Sequence, residues 1–166
     1  MVYGASVQIY LLEKSRIISQ ATGERNYHVF YYLLNGSSDE EKKQLSLLQA
    51  QDYTYLSRDG PFCVESIDDK YEFNRLKQSM ESVGFSQDCI KKTFSMLSAI
   101  LLLGNLQYTK KTGYHSDDTA SMTNAEQIST LARLLHLSED KISSALTTRR
   151  TITKNETVVT RYTILE

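Results

Sequence analysis

Apolar positions along this chain recur mostly with the period of a helix. Phe73, Leu76, Met80 and Val83 are spaced three, four and three apart, which predicts a helix opened by Asp68 or Asp69 and ended by Gly84. Ser86 then caps a further helix with Asp88 in its first turn. In it, Ile90, Phe94, Leu97 and Leu101 form one apolar stripe and Met96, Ile100 and Leu103 a second. Its C-terminal half is therefore apolar nearly all round, as in a helix buried against other elements. Upstream, Tyr27, Phe30, Tyr31 and Leu34 predict a helix over Glu24 to Leu34, between a break at Gly23 and a stop at Asn35-Gly36. Ser38 caps a short helix whose first turn holds Asp39, Glu40 and Glu41, acidic groups suited to the positive end of a helix dipole. Leu45 and Leu48 give it an apolar edge. Downstream, Lys110 to Ser121 reads as a polar loop. Ile128, Leu131, Ala132 and Leu135 then predict a helix over Asn124 to Leu135, and Ser138 caps a last short helix ending near Leu146.

Two segments break this rhythm. Val7, Ile9 and Leu11 alternate with Ser6 and Gln8, which predicts a strand over Ala5 to Leu12, with a second short strand at Ile17-Ile18. Arg149 to Tyr162 is rich in Thr and Val and has no helical period, so it reads as a β-hairpin with Asn155-Glu156 at its middle. That turn sets Lys154 opposite Thr157, Ile152 opposite Val159 and Arg150 opposite Arg161. Glu at the second turn position disfavours positive φ, so a four-residue loop of the same register is expected. Like charges opposite one another cost stability, and a hairpin that keeps two arginines on one face points to an acidic partner. The fold class is thus mainly α, with a peripheral N-terminal strand and a C-terminal β-hairpin.

Composition narrows the function. A chain of 166 residues with net charge −1 suits one domain and lacks the overall field that attracts nucleic acid or an anionic membrane. No partner of either kind, and no membrane insertion, is expected: the longest apolar run, Met96 to Leu103, is far short of the roughly 20 residues of a span. Cys63 and Cys89 are far apart and read as reduced thiols of a cytoplasmic protein. No glycine is followed by lysine and no Gly-x-Gly-x-x-Gly occurs, so neither common phosphate-cradling loop is present. His28, His115 and His136 have no metal-ligand spacing. His28, four residues after Glu24, reads as a structural partner. These features point away from catalysis by this chain.

The residues nonetheless carry a family resemblance. Gly4-Ala5-Ser6 with Tyr10-Leu11-Leu12-Glu13-Lys14-Ser15-Arg16-Ile17, followed by Gly23-Glu24-Arg25-Asn26-Tyr27-His28-Val29-Phe30-Tyr31, closely resembles the myosin motor domain. Phe73 to Phe85, Ala99-Ile100-Leu101-Leu102-Leu103-Gly104-Asn105-Leu106 and the hairpin at Arg149 to Tyr162 are similar and in family order. Glu24 to Leu34 and Leu146 to Thr153 look most like the class nine, single-headed unconventional myosins.

The resemblance implies part of an ATP-driven, actin-based, cytoskeleton-associated motor of P-loop-type α/β architecture. ATP and Mg2+ would be bound by loops outside this chain, and none is expected to be bound by this chain alone. Residues 5–18 would supply a central-sheet strand region, 24–146 much of the upper half of the actin-binding cleft, and 147–162 an actin-contacting hairpin. The implied contact residues are Arg149, Arg150, Thr151, Ile152, Thr153, Lys154, Asn155, Glu156, Thr157 and Arg161. Glu156 aligns with a position that is acidic or phosphorylatable in the family. Partners would be actin filaments and the remainder of the motor domain. Both chain ends look cut through structure, so the isolated chain is expected to be sticky or partly unfolded. The competing reading is a noncatalytic actin-binding or adaptor module made as a short chain.

Overall fold

The computed structural model describes residues 4, 6, 8, 11, 13–57, 60–111, 119–152 and 156–163. The strand expected over Ala5 to Leu12 falls largely outside them. Seven helices are described: α1 (Ser15–Ile18), α2 (His28–Gly36), α3 (Asp39–Gln44), α4 (Asp69–Ser82), α5 (Gln87–Leu103), α6 (Ala125–Leu135) and α7 (Glu139–Thr147). Two antiparallel strand pairs accompany them, β1 (Tyr108–Lys111) with β2 (Thr119–Met122) and β3 (Thr148–Ile152) with β4 (Thr157–Arg161).

Capping side chains set three of the helix starts. Ser38 and Glu41 form a reciprocal capping box, the Glu41 amide donating to Ser38 Oγ and the Ser38 amide to Glu41 Oε2. Asp68 accepts from the Tyr71 amide and Ser86 from the Cys89 amide. Gly84, at φ 94°, ends the α4 turn in a conformation that side chains resist. Ser138 does not cap α7 with its side chain; only its carbonyl serves the first turn.

α5 lies against two apolar clusters. The larger joins Phe30, Tyr31 and Leu34 of α2 to Tyr53, Leu56, Ala99, Leu101, Leu102, Leu131 and Ile142. The smaller holds Leu33, Phe73, Ile90 and Phe94, with the Phe73 and Phe94 rings 5.1 Å apart. Ser98 interrupts the apolar run of α5 at a fully buried position because its hydroxyl donates to the Leu45 carbonyl at 2.6 Å. That bond satisfies a polar group that would otherwise be costly to bury. The two stripes do not bury equally: Met96 stays 58% exposed.

Close approach accounts for two glycines. A Cβ at Gly36 would overlap the Phe73 side chain, and one at Gly104 would meet the Tyr55 ring. Next to Gly104, Asn105 donates to the Asp52 carbonyl and accepts from the Thr54 amide, clasping the loop onto the end of α5.

Polar side chains organise the N-terminal region. Arg25 pairs with Asp69 at 2.8 Å, their side chains only 3% and 8% exposed. Asn35 Nδ2 also donates to Asp69, and the Arg25 guanidinium lies 4.4 Å from the centre of the Tyr31 ring. Asn26 is fully buried; its amide nitrogen donates to the carbonyls of Ile17 and Tyr55, and its Oδ1 accepts from the Tyr27 amide. These engagements delay α2 to His28, four residues beyond the expected Glu24.

Three expectations are corrected. Ile17-Ile18 lies in helix α1 and not in a strand: Arg16 bridges Glu13 and Glu24, while Gln20 and Asn26 side chains take the Arg16 and Ile17 carbonyls that a sheet neighbour would need. The polar stretch Lys110 to Ser121 contains the outer parts of β1 and β2. This pair lacks apolar alternation because β1 is exposed throughout and β2 half-buried. The third correction concerns the register of the C-terminal hairpin.

Candidate functional site

The C-terminal hairpin grows directly out of α7. Thr148 is at once the residue that ends the helix and the first residue of β3. The hydroxyls of Thr147 and Thr148 donate to the carbonyls of Ser143 and Ser144, each 2.6 Å away. Across the base, the Tyr162 amide donates to the Thr147 carbonyl and the Ala120 amide to the Tyr162 carbonyl, which ties the hairpin to β2.

The observed pairs are Thr148 with Arg161, Arg150 with Val159 and Ile152 with Thr157. Arg150 therefore does not stand opposite Arg161, as the sequence reading expected. The loop has four residues as anticipated, but its centre lies one residue earlier. This slip keeps Thr148, Arg150, Ile152, Thr157, Val159 and Arg161 on one face, because both members of each pair point the same way. The two arginines become diagonal neighbours, a spacing that relieves direct repulsion. Arg149, Thr151, Val158 and Thr160 form the opposite face.

Nothing among the described residues covers the outer hairpin. Ile152 is 82% exposed, Val159 55% and Val158 48%, and Arg149, Arg150 and Arg161 are exposed. None of these arginines enters an ion pair among the described residues. Arg149, Arg150, Lys154 and Arg161 against Glu156 give Thr147 to Tyr162 a local +3 in a chain of net −1. Arg150 and Thr148 also border a groove of about 640 Å3 along α7, with Asp140, Lys141, Ser144 and Ala145. Such a surface offers cations beside apolar groups and is suited to docking.

Of the residues marked out from sequence, Arg149, Arg150, Thr151 and Ile152 lie on β3, and Thr157 and Arg161 on β4. Glu156 is exposed just ahead of β4. Thr153, Lys154 and Asn155 lie outside the described residues. The sequence reading missed Val158 as a contact candidate and treated Val159 only as a strand partner. Their signal is β-branched apolar side chains in a two-stranded ribbon that no second layer covers among the described residues.

His28 occupies a structural position, with Nδ1 3.0 Å from Arg25 Nη2. Partial burial and the Arg25 charge hold its pKa below the ordinary 6.5. The unfolded chain therefore takes up this proton first as pH falls. The contribution of His28 is complete above about pH 6.5, declines as pH drops through that value, and levels off below the folded-state pKa. Thermal unfolding at pH 7.5 and 5.5 is expected to show a smaller acid loss for His28→Asn, whose amide oxygen can replace the Nδ1 acceptor without titrating.

The model of the family described as Myosin head (motor domain) matches residues 1–166. The chain belongs to this family. It is 45% identical over 166 residues to unconventional myosin-IXb of Rattus norvegicus, covering 100% of this chain and 8% of that protein. It is 42% identical over 182 residues to unconventional myosin-IXAa of Danio rerio, covering 99% of this chain and 7% of that protein. With Myosin IA heavy chain of Dictyostelium discoideum it shares 39% over 164 residues, covering 97% of this chain and 16% of that one. The chain thus spans a small part of the length of these relatives. Its helix-rich architecture with two small antiparallel pairs is consistent with part of a motor domain.

Proposed function

We propose that this chain is part of an ATP-driven, actin-based motor of the unconventional myosin type, and that the β3–β4 hairpin is its actin-contacting element. The observation that carries the reading is the uncovered basic and apolar hairpin, in a chain that belongs to the myosin head family. An acidic filament surface would be steered by the local +3. Ile152 and Val159 would then supply apolar contact between the arginines. Residues 24–146 serve as the scaffold of the upper half of the actin-binding cleft, and residues 5–18 as a central-sheet strand region that ends in the α1 turn.

ATP and Mg2+ belong to the complete motor domain in this reading. The residues present do not fit them: the sequence has no Gly-Lys pair, and among the described residues no group of three His, Cys, Asp or Glu side chains could hold a metal ion. We assign nucleotide chemistry to the rest of the motor and derive no step through it here.

Co-sedimentation with actin filaments at two salt concentrations tests the hairpin. Arg150→Ala is expected to weaken binding by roughly three- to tenfold at low salt, with a smaller difference at high salt. Binding that is indifferent to both salt and Arg150→Ala would overturn the assignment.

A further inference from the structure

We propose that the cavity where β2, α7 and the end of β4 meet binds a small phosphomonoester, with Lys111 and Arg161 holding the phosphate and Met122 and Ile128 taking its organic body. The cavity measures about 410 Å3. Lys111 lines it from β1 and Arg161 from β4. Neither cation enters an ion pair among the described residues, and no described carboxylate lines the cavity. Two like charges bordering one space repel each other, and an anion between them turns that cost into attraction.

Hydroxyl donors complete the set. Those of Thr147 and Thr148 are spent on helix carbonyls. By contrast, no hydrogen bond among the described residues engages the hydroxyls of Thr119, Ser121 or Ser143, which also line the cavity. Thr119 and Ser121 share one face of β2, and Lys111 is the cross-strand partner of Thr119. A guanidinium, an ammonium and three hydroxyls suit the three strong acceptor oxygens of a phosphomonoester better than the two of a carboxylate. The cavity is also too roomy for one oxyanion: its volume lies in the range of about 300–1,000 Å3 usual for small-molecule sites, and Met122 and Ile128 add apolar lining. Its walls are tied together in advance. The Ala120 amide donates to the Tyr162 carbonyl and the Tyr162 amide to the Thr147 carbonyl, which joins β2, the hairpin and α7.

This site needs no actin. Because neither common phosphate-cradling loop occurs in the sequence, phosphate-ester binding by the chain would not come from a nucleotide loop. Isothermal titration calorimetry of the full chain with glycerol 3-phosphate tests the site, with glycerol and inorganic phosphate as controls. Saturable binding of the ester, at least about threefold tighter than inorganic phosphate and absent with glycerol, is the expected result. Lys111→Gln should weaken it at least about fivefold and Ser143→Ala about two- to threefold, and the affinity should fall as salt is raised. Lys111 is exposed on β1, so its replacement leaves the helical core intact. No saturable binding, inorganic phosphate bound as tightly as the ester, or an affinity unmoved by Lys111→Gln would overturn the proposal. Capture of phosphatidate-bearing vesicles without binding of the free ester would overturn the soluble ligand in favour of a lipid headgroup.

Discussion

Asp69→Ala is expected to cost about 3–5 kcal/mol of folding stability, because it strands a charge in the interior. The Arg25 side chain is only 3% exposed and Asp69 is its only ion-pair partner among the described residues. Removing the carboxylate also deprives Asn35 Nδ2 of its acceptor, and Arg25 Nε is already buried without one among the described residues. A replacement that removes both charges should be milder: Arg25→Met/Asp69→Leu gives up the pair without orphaning either member. Denaturant unfolding of the two variants checks this order. A loss below about 1 kcal/mol for Asp69→Ala, the range of exposed pairs, would show that the pair is hydrated.

Phe73→Ala should be of similar size, about 3–5 kcal/mol, through lost burial and the cavity left behind. Phe73 is fully buried, packs on Phe94, and has Lys77 Nζ 4.5 Å from its ring centre. The same ring fills the space beside Gly36. Gly36→Ala alone should therefore destabilise by about 1–3 kcal/mol through overpacking. In a Phe73→Gly background, which removes the obstructing Cβ as well as the ring, it should cost little, since alanine is the better helix residue. Such a reversal is a coupling between contacting sites, and additive losses in the double variant would refute the close packing of α2 on α4.

Helices α3, α4 and α5 were legible in the sequence through their capping side chains, and α2 and α6, which lack a side-chain cap, through their apolar period. Ser86 with the stripe from Ile90 to Leu101 is the clearest case, and Ser38 ahead of the acidic turn Asp39, Glu40 and Glu41 marks its helix from the first turn alone. The Arg25–Asp69 pair was illegible: its partners are 44 residues apart, and Asp69 looks in sequence like an ordinary first-turn acid beside the capping Asp68. β1 and β2 were hidden because their burial does not alternate, which removes the period-two signal. In the hairpin, residue types told strand from helix, but the position of the turn decided the register. Arg150 and Arg161 kept their shared face through the correction because the two cross-strand partners differ by an even number of residues. The candidate site was therefore readable as a face before it was readable as a set of pairs.

The direct passage from α7 into β3 imposes a rule of length on this part of the chain. One extra residue between Thr147 and Thr148 would turn the ribbon over, because strand side chains alternate with a period of two. The Arg150–Ile152–Val159–Arg161 face would then sit where Arg149, Thr151, Val158 and Thr160 now stand. Substitutions along the hairpin can change its charge one side chain at a time, whereas a single insertion or deletion at this joint would exchange its two faces. The joint should therefore tolerate changes in residue type far better than changes in residue number.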